Sequence, residues 1–182
     1  IGPGDDFELT YGNSVAPDDR NPAFVLEYTL GNRPTYISPY FYEIMTDQSA
    51  LNDVLAGIED PRVPYYWFNQ ITDPADAQNP TEYTDDNGFL SIWFASQGVN
   101  QGFQQDVSQT VLGLYPIGGR FDNGAGGVVN TAGAVTGPGD VAQRLLPYFA
   151  VQYIKAELAL TTVSGDHRAF FEDAMYASFD KV

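Results

Sequence analysis

The chain has 182 residues, of which 43% are hydrophobic, so a sizeable core can form and a disordered chain is excluded. Twenty-four acidic residues against eight basic ones leave a formal charge of −16, which repels phosphate backbones and anionic headgroups and excludes nucleic acid as a partner. Cysteine is absent, which excludes disulfides, thiol catalysis and cysteine metal sites, and no run of about 18 apolar residues marks a membrane-spanning helix.

Residues 1–35 are rich in turn formers: Gly2-Pro3-Gly4, Pro17-Asp18-Asp19, Asn21-Pro22 and Gly31-Asn32. The opening IGPGDDFELTYG carries no signal-peptide pattern and reads as the interior of a longer chain. The apolar run Phe24 to Leu30 suits either a strand or a helical turn. Helix is expected over 38–57. Ser38 caps it, Pro39 takes the first helical position, and Tyr40, Phe41, Ile44 and Met45 share a face. A second piece is expected from Ala50 to Ala56, ended by Gly57. Glu59 to Gln70, EDPRVPYYWFNQ, is expected as an extended arm, because Pro61 and Pro64 disfavour helix in the residues before them. Residues 71–88 read as a polar loop. Asn87-Gly88 then precedes Phe89 to Phe94, an expected strand. Residues 95–140 are glycine-rich, with Gly118-Gly119, Gly126-Gly127 and Gly137-Pro138-Gly139, and are too long for an ordinary connector.

From Asp140 the pattern turns helical. In DVAQRLLPYFAVQYIKAELALTTV, Ala142, Leu145, Leu146, Phe149, Tyr153, Ala156 and Leu160 recur at three- and four-residue spacing. In SGDHRAFFEDAMYASFDK, Phe170, Phe171, Ala174, Ala177 and Ser178 do the same. Ser164-Gly165-Asp166 supplies a break and an N-cap, and Ala156 and Ala174 allow close approach. An antiparallel helix pair is therefore expected over Ala142–Val182, in the layout of a tetratricopeptide-type hairpin. Pro147 would cost about 3 kcal/mol inside a helix, so the first helix should kink there or begin there. One hairpin cannot bury its own apolar faces, and the chain is expected to need neighbours for stability. The expected fold is mainly α with long irregular loops and a few short strands. It forms one domain, with 1–139 as a loop-rich excursion and 140–182 as the hairpin.

Three motifs occur in order: EDPRVPYYW at 59–67, YPIGGRFDNGAGG at 115–127, and AQRLLPYFAVQYIKAELAL followed by SGDHRAFFEDAMYAS at 142–178. Together they resemble the SusD/RagB-like family, in the branch called SusD-like 2. NPAF at 21–24 and YISPYFYEIM at 36–45 also resemble segments that precede the DPR motif there. The resemblance covers nearly all of the chain, as an internal or C-terminal-half fragment of a longer protein. It implies an α-α superhelix of helical repeats with large loop excursions. It also implies a lipoprotein on the outer face of the Bacteroidetes outer membrane, its lipid anchor outside this chain. Such proteins cap a SusC-like, TonB-dependent barrel and capture glycans, or in some members peptides, for import, with no cofactor. Pro147 departs from the family, which usually has a polar residue there, and this puts the start of the first hairpin helix in doubt.

The residues themselves point the same way. His167 is the only histidine, so no second imidazole completes a triad or zinc site. Adjacent acids such as Asp5-Asp6, Asp18-Asp19, Glu59-Asp60, Asp85-Asp86 and Glu172-Asp173 read as solvated charge. A glycoside hydrolase built on two of these carboxylates is the alternative function, and it needs a pair about 5 Å or roughly 7–9 Å apart across a cleft. Asp85-Asp86-Asn87-Gly88 and Asp122-Asn123-Gly124 read as hydrated turns, without the alternating ligands of a calcium loop. Gly118-Gly119 and Gly124 to Gly127 read as backbone-packing glycines, and Arg62 of the DPR turn as a residue that ties loops together through a bidentate bond to a carboxylate or the backbone. Aromatics suit weak capture of sugars: each stacked ring removes roughly 40 Å² of apolar surface, worth about 1 kcal/mol. Trp67 and Trp93 are the first candidates for ligand contact, followed by Tyr65 and Tyr66. A non-enzymatic capture protein for neutral glycans or peptides is thus expected.

Overall fold

The computed structural model describes residues 2–29, 36–48, 57–71, 73, 75, 83–84, 88–93, 108–122, 137–162 and 164–182. In chain order the elements are β1 (Phe7–Leu9), α1 (Pro22–Tyr28), α2 (Pro39–Met45), α3 (Val63–Tyr66), β2 (Trp67–Phe68) and β3 (Tyr83–Thr84). They continue as β4 (Leu90–Ser91), β5 (Val111–Leu112), α4 (Leu114–Ile117), β6 (Gln143–Leu146), α5 (Tyr148–Thr161) and α6 (His167–Asp180). The architecture is partly helical with a few short strands. The strands pair antiparallel as three two-stranded ribbons, β1 with β6, β2 with β5 and β3 with β4. Two compact units result. One is the segment up to Thr10 together with Ala142–Val182, and the other is Tyr11–Val141. The hairpin thus takes in the first ten residues as well.

In the unit 11–141, Asn21 starts α1. Its side chain accepts from the Ala23 amide at 2.9 Å, with Pro22 at the first position, so the run after Asn21 resolves as helix. Helix α2 begins at Pro39 as expected, although Ser38 makes no side-chain cap. Its buried residues are Pro39, Tyr42 and Met45, so Tyr40 and Phe41 turn outward rather than joining Met45 on the core face. The expected helix from Ala50 to Ala56 lies outside the described residues.

The arm expected over Glu59–Gln70 is not extended throughout. The Asp60 carboxylate accepts from the Arg62 amide at 2.9 Å and from its guanidinium, with Nη2 at 2.7 Å. That turn launches α3, whose Tyr65 and Tyr66 amides return to the Arg62 carbonyl. Pro64 sits in the first helical turn, where its missing donor costs nothing. The chain then becomes extended at Trp67 and pairs with β5.

The expected strand from Phe89 shrinks to Leu90–Ser91, and β3 lies in the segment expected as loop. Within the long glycine-rich stretch, β5 and α4 are regular structure. Thr110 binds these pieces together. Its amide donates to the Leu90 carbonyl at 3.1 Å, and its hydroxyl accepts from the Leu90 amide and donates to Asn69 Oδ1 at 2.7 Å. The core comprises Ile37, Tyr42, Met45, Val63, Trp67 and Phe89, with the Tyr42 and Phe89 rings stacked at 3.7 Å. Gly118 and Gly119 serve packing. Gly118 caps α4 in the left-handed region at φ 75°, and a Cβ on Gly119 would stand 2.5 Å from the Tyr28 ring. The expected glycines 124–127 lie outside the described residues.

In the other unit, the expected first hairpin helix is shorter at its start. Gln143–Leu146 is strand β6, and Pro147 is the N-cap of α5. Proline lacks the donor that would continue a helix across 143–151, so the chain is extended before it and helical after it. Asp166 caps α6, accepting from the amides of Arg168 at 3.0 Å and Ala169 at 3.2 Å. Ala156 and Ala174 are buried, Ala174 with no exposed surface, as close helix approach requires. The buried stripe of α5 is Tyr148, Gln152 and Ala156, so Ala156 is buried as expected while Tyr148 and Gln152 are buried in place of Phe149 and Tyr153. Gln152 lies there because Nε2 donates to the Tyr148 hydroxyl at 2.6 Å and to Asp173. Tyr148 in turn donates to Asp173 Oδ2 at 2.6 Å. Leu145, Leu146, Tyr153, Leu160 and Phe171, expected inside, are exposed.

Asp6 joins the ends of the two helices. Oδ1 accepts from the Tyr148 amide, the first of α5, at 2.6 Å, and Oδ2 pairs with the ammonium of Lys181, which caps the end of α6. The anion sits at a helix start and the cation at a helix end, both favourable to the helix dipoles. Burial raises the pKa of this carboxyl, but Lys181, the Tyr148 amide and the charge of Arg144 outweigh it and hold it below the usual aspartate value.

Two outcomes follow from the packing. Ala174→Leu should destabilise the hairpin by about 1–3 kcal/mol through overpacking, measured by urea unfolding. Asp6→Asn should lose stability relative to the native chain above about pH 4, the value for an unfolded aspartate. Because the folded pKa is lowered, the native contribution fades as pH falls through it, and the two stability curves should converge in acid. A difference that stays constant down to pH 2 in equilibrium unfolding would refute the assignment.

Candidate functional site

The four aromatic candidates fall in the unit 11–141, and the fold treats them differently. Trp67 is only 5% exposed. Its ring packs among Ile37, Tyr42, Met45, Val63 and Phe89 and meets Phe41 edge-on at 5.6 Å. No face of it is open for a sugar, so among the four it is a core residue. Tyr65 is half-buried against Phe121 at 4.7 Å. Tyr66 is half-buried, 5.1 Å from Tyr115 and 5.9 Å from Phe41. The change of element accompanies the split: Tyr65 and Tyr66 end α3 half-buried, and Trp67 begins β2, where both residues are buried.

Trp93 stands apart. Leu90 and Ser91 are fully buried in β4, with the Ser91 hydroxyl donating to the Ile37 carbonyl. After them the chain leaves the ribbon, and Trp93 is half-buried. Its ring lies 4.8 Å from Tyr40, edge to face at 62°. Tyr40 is 50% exposed and Phe41 beside it 45% exposed. Phe41 meets Tyr66 and Trp67 edge-on, so its ring leans on the core. Sequence reasoning placed Tyr40 and Phe41 on the core face and so missed them as contacts.

The Tyr40–Trp93 corner can offer ring faces to an apolar sugar surface, since its rings are separate from the buried Tyr42–Phe89 stack. Arg62 is not a free cation at this place. Its guanidinium is bound to Asp60, which raises its pKa, and burial acts the other way. Of the two kinds of partner expected for Arg62, carboxylate or backbone, this is the carboxylate.

The acidic pairs serve as partners of other groups. Asp18 pairs with Arg20 and Glu172 with Arg168, both at the surface. Asp122 is buried and accepts from the Asn69 amide at 3.4 Å. Among the described residues the carboxyls with displaced titration, Asp6, Asp18 and Asp173, are displaced downward: Asp18 chiefly by the Arg20 side chain, and Asp173 chiefly by the Tyr148 hydroxyl. A glycosidase acid requires the opposite displacement. His167 is exposed at the first position of α6. Among the described residues no group of three or more His, Cys, Asp or Glu could hold a metal ion. The turn at residues 85–87 lies outside them. No described helix is long and apolar enough to cross a membrane. No protein-family model, curated protein or solved structure matches the chain.

Proposed function

We propose that this protein is a nutrient-capture subunit of the SusD/RagB type, holding oligosaccharides or peptides at the cell surface for a SusC-like, TonB-dependent transporter. The resemblance carried by the ordered motifs at 59–67, 115–127 and 142–178 is the main support. The observation that carries the binding half of the reading is the Tyr40–Trp93 corner, an aromatic pair that packing leaves open to solvent. Weak stacking contacts of about 1 kcal/mol each suit capture and release better than turnover.

In this reading the α5–α6 hairpin is one tetratricopeptide-type repeat of a larger superhelix. Supporting it, α6 leaves Met175, Tyr176 and Phe179 exposed, beside Phe171, whose ring reaches Tyr153 of α5. A helix apolar on two sides sits between two neighbours in a repeat array. The lipid anchor belongs outside this chain, and the acidic surface favours neutral over anionic glycans.

The test is a binding screen of the chain against neutral glycans, acidic glycans and peptides, with hydrolysis products followed in the same samples. Binding of a neutral glycan without product is expected, and enzyme-like turnover would replace this reading with the hydrolase. Trp93→Ala and Tyr40→Ala should each weaken that binding by about 1–3 kcal/mol with the fold intact. Trp67→Ala should instead destabilise the chain by about 3–5 kcal/mol, leaving the affinity of the folded fraction unchanged. Unchanged affinity in both Trp93→Ala and Tyr40→Ala would move the site away from this corner.

A further inference from the structure

We propose that the segment up to Thr10 is a strap that opens as a unit while α5 and α6 stay packed, uncovering the space between the start of α5 and the end of α6. The space is a cavity of about 140 Å³. Pro3 and Asp6 of the strap line it on one side, and Tyr148, Phe149, Tyr176 and Asp180 of the hairpin on the other.

The strap is held by little. Strand β1 has three residues and meets β6 with Phe7 opposite Leu146, Glu8 opposite Arg144 and Leu9 opposite Gln143. The register shifts between Phe7 and Glu8, so the ladder is irregular even in this length. Phe7 is 64% and Leu9 49% exposed, so neither secures the strap by burial. Asp5 and Gly2 bond to each other and not to the hairpin, with the Gly2 amide on Asp5 Oδ2 at 2.7 Å and the Asp5 amide on the Gly2 carbonyl at 2.9 Å. Asp6 is the one strap side chain shown anchored in the hairpin, 5% exposed and bound to the Tyr148 amide and to Lys181.

The hairpin is held by other groups. Ala156 meets α6 and Ala174 meets α5 at their closest approach, and Gln152 and Tyr148 bind Asp173. Tyr153 and Phe171 meet edge-on at 5.6 Å, and Lys155 lies over Phe170 at 5.8 Å. None of these contacts passes through the strap. Two sets of contacts that share no residue except the Tyr148 backbone can break separately, and the smaller set breaks first. Opening exposes the rings of Tyr148 and Phe149 and releases Lys181 from Asp6, so the strap controls access to an aromatic and charged surface.

The experiment is amide hydrogen exchange on the full chain at pH 7, with Asp6→Asn and Lys181→Met beside the native protein. In the native protein the amides of 7–9, 143–146 and Tyr148 should exchange on the order of tenfold faster than those around Ala156 and Ala174. Both variants should accelerate the first set further and the second by no more than the same factor, so that the gap between the two sets remains. Equal protection of both sets in the native chain would overturn the proposal. So would loss of the gap between the two sets in the variants, which would mean that strap and hairpin unfold as one. A first set that does not respond to Asp6→Asn would overturn it as well.

Discussion

The Asp6 carboxylate is the point on which the unit containing the hairpin turns. A helix start leaves amides without partners, and a helix end gathers negative partial charge. Pro147, as the cap of α5, has no side-chain oxygen to offer the Tyr148 amide. A residue 142 positions away supplies it, and the same carboxylate meets Lys181 at the other helix's end. One buried charge thereby satisfies two helix termini, and the pairing of β1 with β6 brings it there. The cost of burying an anion is offset only because both partners are present, which is why its pKa falls despite burial.

The other unit is governed by competition for aromatic rings. A core of six buried residues without long helices depends on large side chains, and Tyr42, Trp67 and Phe89 supply them. Of the rings left over, Phe41 rests edge-on against Trp67, and Tyr40 and Trp93 meet each other. Such contact limits their rotamer freedom. A ring already ordered loses little entropy when a ligand stacks on it, so the contact favours binding.

The charge of −16 is distributed rather than concentrated into a catalytic pair. Arg20, Arg62, Arg168 and Lys181 each take an acidic partner, three of them on the same local stretch of chain. These local pairs contribute little stability at the surface, but they hold turns and helix starts in shape. Glu27 and Asp122 are buried as well, so the acids are not all surface charge.

Much of the hairpin was legible from local chemistry. Asp166 as a cap, Pro147 as the place where helix begins, and Ala156 with Ala174 as the close approach each depend on neighbours within a few residues. The carboxylate tie of Arg62 and the packing role of Gly118-Gly119 were legible for the same reason. What lay beyond reach were choices made by distant residues. Gln152 is buried because Asp173 comes to meet it, which no apolar period records. Trp67 and Trp93 look alike in sequence, and only the pairing of β2 with β5 and the end of β4 decide that one is inside and the other half outside. Local sequence determines where an element starts and stops, because caps and proline act within one turn. Tertiary structure decides which face is buried, because burial depends on partners that the chain brings from far away.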